Sequence, residues 1–258
     1  MFYNAKALNG YRLNSLDGPI GKVKEFYFDD LHWTIRYLVA DTGFWLPGRQ
    51  VLISPYALGS INTDIDPKQI EVHLTKKQIE ESPSLDSDKP VSHQFEQAYY
   101  GHYGWPIYWG GPDRWGPSPQ IVRDREKWKE YVQSEKRGDP HLRSTFAVTG
   151  HHVEALDGEI GHVSDFIIDE EMWAIRYLVI DTHNWWPGKK VLISPQWIER
   201  VSWSERKVWV NLTRDVIKHS PEYTEDFLLN RDYEAALHQH YKRQGYWVET
   251  SAAQRYSR

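Results

Sequence analysis

The hydrophobic positions of residues 10–75 alternate with polar ones in short runs, a pattern that indicates β-strands. Predicted strands lie at Tyr11–Leu13, Ile20–Phe28, Thr34–Ala40, Val51–Ser54 and Gln69–Leu74. The alternation slips between Val23 and Phe26, which predicts a β-bulge. Because an open sheet of such short strands would expose its edges, we expect closure into a small β-barrel.

A helical pattern follows these strands. Thr75-Lys76-Lys77-Gln78 is a capping box, which predicts a short helix that ends at Ser82-Pro83. A second, amphipathic helix is predicted from the spacing of Phe95, Ala98, Tyr99, His102 and Tyr103. The sequence therefore predicts a short helical tail behind the barrel.

Nearly all of this pattern occurs twice. Residues 16–55 return as residues 156–195, with 24 of the 40 aligned positions identical. The tail returns as well, because His102-Tyr103 matches His240-Tyr241. The predicted organisation is a first barrel with its tail at 1–105, a linker rich in Trp, Gly and Pro with a short charged helix at 106–141, and a second barrel with its tail at 142–250. We expect the repeats to pack about a pseudo-twofold axis, as in a homodimer of single-repeat relatives.

The repeated residues are mainly those that shape turns and strands. Asp-Gly dipeptides predict tight hairpins, and Pro-Gly dipeptides predict type II turns. The shared motif residues are Asp17, Gly18, Gly21, Arg36, Asp41, Pro47 and Gly48, with their counterparts Asp157, Gly158, Gly161, Arg176, Asp181, Pro187 and Gly188.

Composition narrows the class of protein further. The 258 residues carry a net charge of −5 and no long basic run, which argues against nucleic-acid binding. The absence of cysteine excludes disulfides, thiolate metal sites and thiol nucleophiles. No signal peptide is visible, and no apolar run approaches the ~20 residues of a membrane span, so we expect a cytoplasmic protein.

The sequences DG-x-IG, RYLV-x-DT and PG-x-x-VLISP, present in both repeats, resemble the PRC-barrel family. That family is named after the cytoplasmic domain of the photosynthetic reaction-centre H subunit, and a related barrel forms the C-terminal domain of RimM-type ribosome-maturation factors. The resemblance implies six-stranded barrels that serve as docking or assembly surfaces, with no catalytic residues. The transmembrane helix of the H subunit has no counterpart here.

Three groups of residues have a possible chemistry. His151-His152 with Glu154 and Asp157, or His238 and His240 with Glu234, have metal-ligand character. At the positions of the first group, the first repeat has Tyr11-Arg12, Asn14 and Asp17, so we expect no metal there. For His102 and His240 we expect a bond between tail and barrel instead of metal ligation. Arg36 and Arg176 with the acids Glu25/Asp165 and Asp41/Asp181 fit an oxyanion clamp, but we interpret them as structural ion pairs.

Tryptophans near Gly and Pro form the third group: Trp45, Trp105, Trp109, Trp115, Trp185 and Trp186. They either pack the tails onto the barrels or form a partner surface. The sequence thus predicts a non-catalytic protein-interaction or scaffold protein without cofactor, whose partner is another protein. The alternatives are a ligand-binding protein or enzyme with a site between the repeats, where Gly43-Phe44-Trp45-Leu46 differs from His183-Asn184-Trp185-Trp186, and a photosynthetic or membrane accessory by family analogy.

Overall fold

The computed structural model describes residues 1–86, 91–108, 142–182, 189–225 and 229–247. The fold is mainly β and divides into two compact units. The first-repeat unit consists of Ala5–Phe146 and Glu171–Ala174, and the second-repeat unit of Met1–Asn4, Ala147–Glu170 and Ile175–Arg258. Each unit thus contains a piece of chain that is remote from its repeat in sequence.

The strands are β1 (Phe2–Asn4), β2 (Arg12–Ser15), β3 (Gly18–Asp29), β4 (Thr34–Asp41), β5 (Arg49–Ile53), β6 (Leu58–Asn62), β7 (Gln69–Val72), β8 (Leu85–Asp86), β9 (Leu142–Ser144), β10 (His152–Ala155), β11 (Gly158–Asp169), β12 (Ala174–Asp181), β13 (Lys190–Ile193), β14 (Ile198–Ser202) and β15 (Lys207–Val210). The helices are α1 (Ala5–Leu8), α2 (Lys76–Glu80), α3 (His93–Tyr103), α4 (Thr145–Val148), α5 (Arg214–Lys218) and α6 (Arg231–His240).

The sheet of the first-repeat unit runs in the order β5-β4-β3-β2-β7-β6, and only β2 and β7 are parallel. The predicted bulge is confirmed, because the β3–β4 register shifts between Val23 and Glu25. A 3-10 turn at Pro55–Ala57 leads from β5 to β6. Within the described residues no hydrogen-bonded pairing joins β5 to β6, so hydrogen bonds do not close the predicted barrel.

The sheet of the second-repeat unit has the same order, β13-β12-β11-β10-β15-β14, with β10 and β15 parallel. Two short helices follow each sheet, α2 and α3 in one unit and α5 and α6 in the other. The capping box at Thr75 is confirmed: its side chain accepts from the N–H of Gln78, and the Gln78 side chain accepts from the N–H of Thr75.

The sequence pattern predicted neither β6 and β14 nor the two short strands that complete the sheets, β1 and β9. β1, at the N-terminus, pairs antiparallel with β11 of the second-repeat unit. β9, at the start of the second repeat, pairs antiparallel with β3 of the first-repeat unit. Each sheet therefore receives a three-residue strand from the start of the other repeat. We call β1 and β9 the donor strands.

The glycines Gly21 and Gly161 allow β3 and β11 to lie against the ends of β4 and β12. Gly21 has a φ of +137°, and a Cβ added there would lie 2.1 Å from the carbonyl oxygen of Asp41. At Gly161 the corresponding distance to the carbonyl oxygen of Asp181 is 2.0 Å. No side chain fits at either position, which explains why the DG-x-IG motif ends in glycine.

Candidate functional site

A fully buried glutamate lies where each sheet meets its tail. Glu96 stands on α3, a helix that begins at Ser92, whose side chain accepts from the N–H of Phe95. Tyr37 on β4 donates to Glu96 Oε1 over 2.8 Å, and Tyr108 behind the helix donates to the same atom over 2.8 Å. The carboxylate thus links strand, helix and the chain that follows the helix.

The second repeat builds the same arrangement. Tyr177 on β12 and Tyr246 behind α6 each donate to Glu234 Oε1 over 2.9 Å. Arg231 Nη1 lies 3.0 Å from Glu234 Oε2. Burial raises the pKa of Glu234, and the two tyrosine hydrogen bonds and the positive charge of Arg231 oppose this without cancelling it.

The two repeated arginines lie over these tyrosines. The guanidinium carbon of Arg36 lies 4.0 Å from the ring centroid of Tyr108, and that of Arg176 lies 3.9 Å from the centroid of Tyr246. Such cation–π contacts favour arginine, whose planar group stacks on a ring. Each arginine therefore gives the sheet a further contact with the tail, in addition to the hydrogen bonds of the glutamate.

The ion-pair partners of these arginines differ from those expected. Arg36 Nε lies 2.5 Å from Asp29 Oδ2, and Arg176 Nη2 lies 2.6 Å from Asp169 Oδ2. Both aspartates end the strand before the arginine, and Asp29 lies opposite Thr34, two residues before Arg36 in the hairpin. Burial alone would raise the pKa of Asp29, but hydrogen bonds from His32 and the charge of Arg36 lower it below its usual value.

The acids that we had assigned to these arginines make other contacts. Glu25 accepts a short hydrogen bond from Ser144 Oγ on β9, and Asp165 accepts one of 3.1 Å from Asn4 Nδ2 on β1. Asp41 accepts from the N–H of Gly43 over 3.0 Å in the exposed loop behind β4. The arginines thus form structural ion pairs, as interpreted, but with Asp29 and Asp169. Glu25 and Asp165 instead contact the donor strands, which are too short to recognise in the sequence.

His238 adds a titratable group that the first repeat lacks, since Tyr100 occupies its position. Its Nε2 lies 3.1 Å from Tyr177 Oη, and its Nδ1 lies 3.1 Å from the carbonyl oxygen of Gln244. A carbonyl oxygen only accepts, so Nδ1 carries a proton. His238, Tyr177 and Glu234 then form one hydrogen-bonded chain.

Burial lowers the pKa of His238 and raises that of Glu234. Glu234 is 0% and His238 2% exposed, so no substrate reaches these side chains in this conformation.

The turn motifs fasten the tail helices at both ends. Asp17 Oδ1 accepts from the N–H of Lys76 over 2.8 Å at the start of α2, and Asp157 Oδ1 accepts from the N–H of Arg214 over 2.7 Å at the start of α5. The hydrogen bond from Lys76 lowers the pKa of Asp17. The predicted turn aspartates are thus also helix caps.

A basic residue behind each Pro-Gly position caps the other end of the helix. Arg49 donates to the carbonyl oxygens of Ile79, Glu80 and Ser82 over 2.7–2.9 Å. Lys189 donates to those of Lys218 and Ser220. Gly48 has a φ of +72°, as the predicted type II turn requires, whereas Pro187 and Gly188 lie outside the described residues.

The histidines are used for structural contacts. Nε2 of His102 lies 3.2 Å from the carbonyl oxygen of Gln78, and that of His240 lies 2.8 Å from the carbonyl oxygen of Val216. These bonds join the two helices of a tail to each other, not the tail to the sheet. His151 is buried, whereas His152 is exposed and lies 2.9 Å from Glu159. In the described part of the chain, no three His, Asp or Glu side chains lie close enough together to hold a metal ion.

The described tryptophans are engaged in packing. Trp45 Nε1 donates to Glu80 Oε1 over 3.0 Å, and Trp105 stacks on Tyr103 with 4.5 Å between ring centroids. Trp109, Trp115, Trp185 and Trp186 lie outside the described residues. So does the whole segment 183–186, which the alternative hypothesis of a ligand site between the repeats invokes. Phe44, next to Trp45, is fully exposed.

Sequence reasoning named Glu234 only as a possible metal ligand and assigned no role to Glu96, although a signal was present. Both glutamates recur at the 138-residue offset, and so do Tyr108 and Tyr246. The predicted helix face contained Ala98, which is exposed, and omitted Glu96, because a glutamate breaks an apolar stripe. A polar residue retained between two repeats was the available indication.

The comparisons with known proteins add no assignment. No protein-family model matches the chain, and no curated protein is significantly similar to it. Within the described residues, no helix has the length and apolar character that a membrane crossing requires.

Proposed function

We propose that this chain is a non-catalytic protein-interaction or scaffold protein of the cytoplasm, built from two PRC-type barrels that side-chain packing closes. The pseudo-dimer of the two repeats is part of this proposal. The observation that carries it is the use of the repeated polar residues: Asp17, Arg36, Glu96 and their counterparts all bind sheet to tail or strand to strand. Polar residues that occur in both repeats and make such contacts favour a rigid scaffold over a catalytic site.

The loop between β4 and β5 is the partner surface that we favour in the first repeat. Phe44 is 100% exposed, and the adjacent Trp45 is held by its hydrogen bond to Glu80. A large apolar side chain on a fixed base suits a protein partner, because little conformational freedom is lost on binding.

Site-specific photo-crosslinking tests this proposal in the native cell. A photoreactive phenylalanine at position 44 should give one dominant adduct with another protein, identified by mass spectrometry. The same probe at Phe146, which is 82% exposed, is the matched control. Identical adducts from both positions, or none from position 44, would contradict the proposal.

A further inference from the structure

The donor strand β1 is held by backbone and side-chain contacts together. Phe2, Tyr3 and Asn4 lie opposite Asp169, Ile168 and Ile167 of β11. Asn4 Nδ2 donates to Asp165 Oδ2 over 3.1 Å, and Tyr223 Oη donates to Asn4 Oδ1 over 2.6 Å. Both ends of one amide side chain are therefore recognised, which fixes the register of the strand.

The donor strand β9 is held by equivalent contacts on β3. Leu142, Arg143 and Ser144 lie opposite Asp29, Phe28 and Tyr27. Ser144 Oγ donates to Glu25, and Arg143 Nε donates to Asp30 Oδ2 over 2.8 Å. In addition, Thr145 Oγ1 accepts from the N–H of Phe26 over 3.2 Å.

The strand register and one side-chain contact are the same in the two sets. Asn4 and Ser144 are 140 positions apart, and so are Glu25 and Asp165. In both units, a short polar side chain of the donor strand thus contacts an acidic side chain of the strand with which it pairs. Because the same arrangement occurs in both units, the edges of β3 and β11 are specific binding sites for an extended segment.

We propose that these two edges also accept their donor strands from a second copy of this chain, so that strand exchange is a route to self-association. The backbone ladder and the Asn4–Asp165 bond are the same whichever polypeptide supplies the strand. Within one chain the donor acts at an effective concentration of roughly millimolar, so the closed monomer prevails in dilute solution. Exchange between copies then rises with protein concentration during folding, as in other swapped assemblies.

Cysteine cross-linking tests the exchange, because the chain has no cysteine of its own. Tyr3→Cys and Ile168→Cys place two thiols at directly opposed positions, within the reach of a disulfide. The two single variants are unfolded together, refolded at about 5 to about 500 μM and oxidised. We expect a disulfide-linked dimer whose yield rises with concentration.

Two controls make the result decisive. A mixture of Tyr3→Cys and Ser60→Cys measures random collision, since Ser60 is exposed on β6, which receives no donor strand. The double variant Tyr3→Cys/Ile168→Cys should close its disulfide within one chain. Should Ile168→Cys fail to fold, Arg143→Cys with Phe28→Cys repeats the test at β3.

The dimer yield should exceed that of the Ser60 control at least tenfold at the highest concentration. A yield no greater than the control at every concentration would overturn the proposal. So would a folded double variant that forms no disulfide within the chain. Neither result bears on the partner surface at Phe44, so this inference and the proposed function fail separately.

Discussion

Tyr37 Oη donates a 2.8 Å hydrogen bond to Glu96 Oε1, and this bond joins the centre of a strand to the tail helix that covers it. Both residues are fully buried. A buried polar pair stabilises a fold only while each partner is satisfied, and removal of one partner leaves the other without a hydrogen bond. The hydrogen bond thus couples the tail to the sheet, and its loss would lower the free energy of unfolding.

The first prediction concerns this glutamate. Glu96→Ala deprives the hydroxyls of Tyr37 and Tyr108 of their acceptor and leaves a cavity, so we expect a loss of about 3 to 5 kcal/mol in the free energy of unfolding. Glu96→Gln keeps an acceptor oxygen and should cost about 1 kcal/mol or less. Urea denaturation measures both. Equal losses for the two variants would contradict the role of the acceptor.

The second prediction concerns acid sensitivity. The folded pKa of His238 lies below its ordinary value of 6.5, because the side chain is buried. A depressed pKa stabilises the fold above 6.5, and this contribution is lost as the pH falls through the folded pKa. We therefore expect the wild type to lose more stability between pH 7.5 and pH 5 than His238→Gln does.

The first repeat supplies the reciprocal variant. Tyr100→His should increase the loss of stability between pH 7.5 and pH 5, because Tyr100 is fully buried at the position equivalent to His238. Denaturation curves at the two pH values measure the difference. If His238→Gln and the wild type lost equal amounts, His238 would not titrate with folding.

The third prediction concerns the basic caps. Arg49→Ala removes the donors to three carbonyl oxygens at the end of α2, and we expect a loss of about 2 kcal/mol in the free energy of unfolding. Arg49→Lys should retain about half of this contribution, since Lys189 makes the same contact in the second repeat. Hydrogen exchange of the α2 amides should rise in the alanine variant first. An unchanged exchange rate would assign the loss to another cause.

The fourth prediction concerns close backbone contact. Gly21→Ala would force a Cβ to within 2.1 Å of the carbonyl oxygen of Asp41, so we expect a loss of about 3 kcal/mol or more. Gly43 is the matched control: its φ is +58°, but no atom lies within 4 Å of an added Cβ. Gly43→Ala should therefore cost only about 1 kcal/mol, the usual penalty of this conformation. Thermal unfolding of both variants provides the comparison.

The sequence predicted the features that depend on neighbouring residues. The bulge behind Val23, the capping box at Thr75 and the turn at Gly48 all follow from local conformational preference, and the structure contains each of them. Alternation also located the long strands, since a half-buried strand repeats every two residues.

What the sequence did not predict depends on contacts over long distances. Strand β1 has three residues, too few for a periodic pattern, and its partner β11 begins more than 150 residues later. The partner of Arg36, Asp29, was not identified for the same reason, because Glu25 on β3 contacts Ser144 of the donor strand β9 instead. Closure of the barrel was argued from exposed edges, and the structure covers an edge of that kind with a donor strand instead.

The donor strands also order events during synthesis on the ribosome. Residues 1–4 emerge before β11, their partner, which is translated more than 150 residues later. The first-repeat sheet lacks β9 until residue 144 has left the exit tunnel. Neither sheet is therefore complete before β9 has been made, and residues 1–4 stay unpaired with β11 until Asp169 has been translated.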